Sequence, residues 1–119
     1  MNEKILKYLY DIELSCSEID SFIHQNASKK DDFLSNLMLK RAVERNLEII
    51  GEAVRRITHL KPDFPITNAQ NIIGLRNTII HGYDQISDEN IWSIIDKHLP
   101  ILRDETASLI KSMEDNNYP

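Results

Sequence analysis

Apolar residues recur at helical spacing through most of the chain. Ile5, Leu9, Ile12, Cys16, Ile19 and Ile23 step by four and three residues in turn. At about 100° per residue this is one narrow stripe, the spacing of a bundle or coiled-coil seam. It predicts a first helix over about residues 2–25, with Asn2 as its cap and Glu3 at the positive end. The polar run Asn26-Ala27-Ser28-Lys29-Lys30 reads as a connection. A second helix is predicted over about residues 31–60, with Leu39, Ala42, Val43, Leu47, Ile50, Val54 and Ile57 on its apolar side. Its opposite side carries Arg41, Glu44, Arg45, Glu48, Glu52 and Arg56, and Asn46 falls inside the apolar arc, where it needs a hydrogen-bond partner if buried.

Pro62 and Pro65 end that segment. Thr67-Asn68-Ala69-Gln70 has the form of a capping box, with Thr67 as N-cap, opening a third helix through Ile72, Ile73, Leu75, Ile79 and Ile80. Gly82 is placed to end it in a left-handed conformation. Ser87 can cap a fourth helix, with Asp88 and Glu89 in its first turn. Its apolar positions include Ile91, Ile94, Ile95, Leu99, Leu102, Leu109, Ile110 and Met113, and Pro100 predicts a kink or break within it. Residues 115–119 read as a frayed tail. Four amphipathic segments, short connections and no alternation at period two predict an all-α, antiparallel four-helix bundle, one domain over residues 1–119.

Composition supports this reading. The 119 residues are 41% hydrophobic and 28% charged, ordinary for a globular chain, and carry only 3 Gly and 4 Pro, few for an all-β fold. No apolar run approaches the ~18 residues of a membrane span, and no hydrophobic leader with a small-residue cleavage site follows Met1. No membrane association is therefore expected, and the cytoplasm is the expected compartment. Cys16 is the only cysteine, which excludes an intramolecular disulfide and a thiolate zinc site. It reads as a small core residue rather than a nucleophile. The net charge of −5 argues against non-specific coating of nucleic acid, yet leaves room for a local cationic site.

The densest polar cluster in an apolar context runs from Leu75 to Asp84. Asn77 and His81 are four apart and share a helix face, and the long Arg76 side chain can swing toward them. Tyr83 follows two residues beyond His81. Arg supplies a planar cation that matches phosphate oxygens, His moves a proton near neutral pH, and Asn orients either partner. RNA carries its own nucleophile in the 2′-hydroxyl, so an Arg/His site can cleave it without metal. A symmetric dimer would supply one imidazole as base and a second as acid. By spacing alone the cluster also fits a surface ion pair at Arg76 and a helix-end histidine.

Other residues carry their own alternatives. Glu44, Glu48 and Glu52 form one helix line and read either as metal ligands or as a solvated face with Lys40–Glu44 and Glu52–Arg56 pairs. Glu44 or Glu52 can instead orient Arg76 across the bundle. Arg55, Arg56, His59 and Lys61 form a basic helix end that either complements the dipole or guides RNA. His24 and His98 read as helix-end or surface histidines. Tyr8, Tyr10, Phe22 and Trp92 read as packing or interface residues rather than base-stacking platforms.

The string Arg76-Asn77-Thr78-Ile79-Ile80-His81-Gly82-Tyr83 resembles the Arg-x4-His-x-Tyr signature of the HepT-like toxins, a branch of the HEPN superfamily. The stretch from Ala42 to Ala53 is similar to that family's second-helix signature, and the Asp88–Leu102 segment, with His98-Leu99-Pro100, also fits. The resemblance implies a HEPN-like bundle acting as a homodimer, with stacking into tetramers an open alternative. It implies metal-independent RNA cleavage between protomers, with Arg76 and His81 as the catalytic pair and Asn77 beside them. No cofactor is implied. The implied partner is a minimal nucleotidyltransferase antitoxin that transfers AMP to Tyr83. Two other readings are a non-catalytic nucleotide- or partner-binding subunit of a two-component nucleotidyltransferase, and a structural helical dimer with an idle motif.

Overall fold

The structure, a computed structural model, describes residues 2–81 and 86–115. Helix α1 spans Asn2–Asn26 and buries the seam read from the sequence: Ile5, Leu9, Ile12, Cys16 and Ile19 are sealed from solvent. Asn2 is the first residue of the helix rather than its cap. Burial pushes the Cys16 thiol up to about 12, so it stays protonated and inert at neutral pH, as a core residue should.

The segment expected as one helix over residues 31–60 is two. A short α2, Lys30–Leu34, is followed by a break at Ser35 and Asn36, and α3 then runs Leu37–Leu60. The break has a local cause. The Asn36 side chain accepts the Leu39 amide at 3.0 Å, an N-cap that competes with helix continuation. It also lets Phe33 turn fully inward, where its ring lies 5.5 Å from that of Trp92. Trp92 is thus a packing residue, as expected. Asn46, inside the apolar arc, is buried and finds one partner: its Nδ2 donates to the Ala42 carbonyl at 3.4 Å, and its Oδ1 has no partner among the described residues.

Helix α3 ends at Leu60, just before Pro62. The capping box expected at Thr67 does not form. Thr67 instead donates its amide and hydroxyl to Glu105, at 2.8 and 2.5 Å, which fastens this loop to the last helix. Helix α4 starts at Ala69 and ends at His81, after Asn68 has taken a positive φ of 59°. Gly82 lies outside the described residues, as do residues 116–119. Ser87 caps α5, Asp88–Ser93, by accepting the Asn90 amide at 3.1 Å, as expected.

The irregularity expected from Pro100 is a π-helical turn, Ile94–His98, leading into α6, Leu99–Asp115. Proline lacks an amide hydrogen and crowds the preceding turn, and widening that turn is one way to accommodate it. Asp115, read as the start of a frayed tail, is the last residue of α6.

Helix α1 packs on α3 and α6, and α3 packs on α4. Tyr10 near the start of α1 bonds Glu114 at the end of α6, while Asp20 further along α1 meets Arg103 near its beginning at 2.7 Å. The two helices therefore run antiparallel. Lys4 and Tyr8 of α1 likewise line a groove together with the last turns of α3, and Arg56 lies over the Tyr8 ring. The all-α bundle is the fold expected from the sequence. No helix among the described residues is long and apolar enough to cross a membrane.

Candidate active site on the third long helix

Helix α4 is unlike its neighbours, because none of its residues is buried. Ile72, Ile73, Leu75 and Ile79 rest partly on the core and are partly open to solvent, and Ile80 is likewise half-buried. One side of α4 lies against α3. On another side, between α4 and α6, runs an apolar groove of about 260 Å³ whose lining includes Ile72, Leu75, Leu99 and Leu102.

Gly51 sets how closely α3 and α4 approach. A methyl group there would run into Cβ of Arg76, and would also lie 2.9 Å from its Cγ and 3.3 Å from the Ile72 carbonyl oxygen. The Arg76 Cβ is fixed by the backbone and cannot swing away, so the two helices meet at this contact only because residue 51 has no side chain. The spacing of site residues did not reveal this role. The available signal was a glycine in the middle of an otherwise regular helix, where it costs about 1 kcal/mol relative to Ala and so calls for a reason.

Glu52, the next residue on α3, gathers three arginines. Arg55 donates through Nε and Nη2 to the two carboxylate oxygens, at 2.8 and 3.0 Å. Arg56 donates through Nε at 3.2 Å, and Nη2 of Arg76 lies 3.7 Å away. The hydrogen bonds from Arg55, together with the charges of Arg55, Arg76 and Arg56, pull the Glu52 carboxyl down to about 2. Arg76 is further steadied by its neighbour, since its Nη1 donates to Asn77 Oδ1 at 2.9 Å. That bond leaves the Asn77 amide hydrogens and one edge of the guanidinium for another acceptor. His81 is exposed at the last position of α4, one turn beyond Asn77.

The expected site residues therefore divide. Arg76, Asn77 and Glu52 form one connected group, and His81 lies on the same helix. Glu44 does not join them; Arg41 holds it at 2.7 Å. The expected Lys40–Glu44 pair is absent because Lys40 reaches across to Asp88, at 2.8 Å. Glu48 is paired with Arg45 at 3.3 Å, while the expected Glu52–Arg56 pair is present. Arginine thus engages each carboxylate of the Glu44, Glu48 and Glu52 line. Arg55, Arg56 and His59 share a groove with α1, and Lys61 caps α3 outside that lining. His24 and His98 are exposed, as expected. Tyr83 lies outside the described residues.

Comparison with known proteins shows the family of the chain. The family model for HepT-like ribonucleases matches residues 12–109. A Methanocaldococcus jannaschii protein named "Putative RNase MJ1380" is 35% identical over 99 residues, covering 82% of this chain and 89% of its own. "Probable ribonuclease HepT" of Thermococcus cleftensis is 30% identical over 108 residues, covering 87% and 94%. No solved structure matches. The chain belongs to the HepT-like ribonuclease family, within the HEPN superfamily.

Two outcomes follow from the contact at Gly51 and Glu52. Gly51→Ala is expected to lower stability by about 1–3 kcal/mol in a denaturant titration, because overpacking against Arg76 outweighs the better helix propensity of Ala. Glu52 has its pKa depressed from 4.5 to about 2, so its stabilising contribution is fully present above about 4.5 and is lost as pH falls through about 2. Glu52→Gln should therefore flatten the stability profile across that window, read by thermal melting at stepped pH.

Proposed function

We propose that this chain is the toxin of a toxin–antitoxin pair, and that it cleaves RNA without metal at a site built from two copies of Arg76, Asn77 and His81. The observation that carries the reading is the placement of Arg76. Its guanidinium is held by Glu52 and Asn77 on a helix with no buried residue, beside half-exposed isoleucines suited to cover by a second copy.

The chemistry follows from the groups. One His81 imidazole takes the proton of the RNA 2′-hydroxyl, and O2′ attacks the adjacent phosphorus. Negative charge grows on the non-bridging oxygens, where Arg76 stabilises it through charge-assisted hydrogen bonds. The bond to the 5′-oxygen breaks, and the second copy's imidazole, protonated, gives that oxygen a proton. The products are a 2′,3′-cyclic phosphate and a 5′-hydroxyl. DNA lacks the nucleophile and is not cut by this route. Glu52 acts through Arg76 as a positioning residue. Without it the guanidinium loses its cross-helix partner.

Tyr83, two residues past His81, is the proposed acceptor of AMP, which a minimal nucleotidyltransferase antitoxin transfers from ATP to the phenolic oxygen with release of pyrophosphate. Adenylylation there adds bulk and negative charge near the groups that receive the RNA phosphate, so the modified toxin repels its substrate.

The test is cleavage of a 5′-labelled RNA in excess EDTA. The expected result is a 2′,3′-cyclic phosphate end, abolished by His81→Ala and lowered at least a hundredfold by Arg76→Ala, with both variants folded. Loss of cleavage on chelation, or full activity in His81→Ala, contradicts the proposal.

A further inference from the structure

Beside the Arg76 group, α1 and the last turns of α3 enclose a shallow groove lined by Lys4, Tyr8, Arg55, Arg56, His59 and Leu60. Three cations line it and no carboxylate does, on a chain whose net charge is −5; Arg55 and Arg56 reach Glu52 outside the lining, while Lys4 is exposed. The grooves around Arg103, by contrast, carry Asp20 and Asp104, or Asp11, Glu13 and Asp104. Helix-dipole complementation accounts for His59 at the end of α3, but not for Lys4, which stands in the first turn of α1, where a cation is unfavourable.

Tyr8 is the second feature. Its ring packs partly on the core and borders both this groove and the neighbouring cleft that holds Arg76. Lys7 Nζ lies 5.2 Å from the ring centroid and Arg56 Cζ lies 6.0 Å from it. Arg56 borders both recesses too, and Glu52 engages only its Nε in the hydrogen bond between them. The terminal nitrogens are not spent on that bond. One groove therefore passes into the other across a tyrosine flanked by cations. The neighbouring cleft also carries Asp11, Glu48 and Glu52, paired with Lys7, Arg45 and the arginines around Glu52, so that its cations Lys7, Arg45, Arg56 and Arg76 outnumber its carboxylates.

A positively charged track interleaved with an aromatic ring is the recognition chemistry of single-stranded nucleic acid, in which phosphates meet Lys and Arg while a base stacks on the ring. We infer that the Lys4–Tyr8–Arg56 groove binds the single-stranded RNA next to the scissile phosphate, with Tyr8 as a base-stacking platform. This rests on the ribonuclease reading above and names a subsite for it. It adds base stacking, which the sequence argued against, to the packing or interface role expected of Tyr8 and seen in its contact with the core. Stacking is tolerant of base identity, so the groove lends affinity and a requirement for unpaired RNA rather than sequence choice.

The test uses an eight-nucleotide RNA made uncleavable by 2′-O-methyl groups, with affinity read by fluorescence anisotropy. Tyr8→Leu is expected to weaken binding about tenfold and Tyr8→Phe to leave it within twofold. Lys4→Gln, at an exposed position, should lower the slope of log affinity against log salt by about 0.7, one phosphate contact. With the unmodified octamer, Tyr8→Leu should raise KM more than it lowers kcat. Octamer affinity within twofold of wild type in both Tyr8→Leu and Lys4→Gln overturns the inference, and so does a wild-type protein that binds no octamer. Should Tyr8→Leu fail to fold, Lys4→Gln still decides it: affinity within twofold of wild type there overturns the inference. Absence of cleavage of the unmodified octamer by wild type refutes the ribonuclease reading separately, while the uncleavable octamer still reports on the groove.

Discussion

The placement of Arg76 depends on one contact between two helices. Gly51 lets α4 come close enough for the Arg76 stem to lie against α3, and Glu52 then meets its guanidinium. The two residues are adjacent in sequence, so steric permission and electrostatic attraction act at the same point. A longer side chain at 51 would push the helix away, and a neutral one at 52 would leave three arginines without their shared anion. A buried ion pair would carry a large desolvation cost. Here Glu52 and Arg76 stay about 30% and 24% exposed, so the guanidinium is steadied while still open to a phosphate.

The rest of the molecule divides its labour around that contact. α1, α3 and α6 share a core of buried Ile, Leu and Val, and polar ties such as Arg103–Asp20 and Thr67–Glu105 hold it together. α4 contributes no fully buried residue and is anchored chiefly through α3. A stable frame thus carries an apolar helix whose outer side is uncovered. In the proposed dimer that side is where two sites become one, which explains how an acidic protein can gather enough positive charge to hold RNA.

Much of this was legible in the sequence, for physical reasons. The α1 stripe has a strict four-three rhythm and no competing signal, and each member through Ile19 is buried. Ser87 followed by Asp88 and Glu89 is an unambiguous helix start, and Pro100 marks its own disturbance. Asn36 was not read as a cap because the apolar rhythm continues across it; the fully buried Phe33 decides the break. Thr67 has the sequence of a capping residue, but a carboxylate 38 positions away outcompetes the local amides. The same limit applies to ion pairs. Spacing made Glu44 and Glu52 equal candidates for Arg76, and Lys40 a partner for Glu44. Only the packed arrangement selects Glu52 for Arg76 and Asp88 for Lys40. The Arg76–Asn77–His81 cluster was visible in order, whereas the groove at Tyr8 joins residues about fifty positions apart and had no local signature.

A mixed dimer tests the shared site most directly. Wild-type and His81→Ala chains are co-expressed with different tags and the dimer carrying one of each is purified. A single site drawn from both copies needs both imidazoles, one as base and one as acid, so RNA cleavage in EDTA by the mixed species should fall far below half of wild type. A mixed dimer that keeps about half of the wild-type rate would contradict the account.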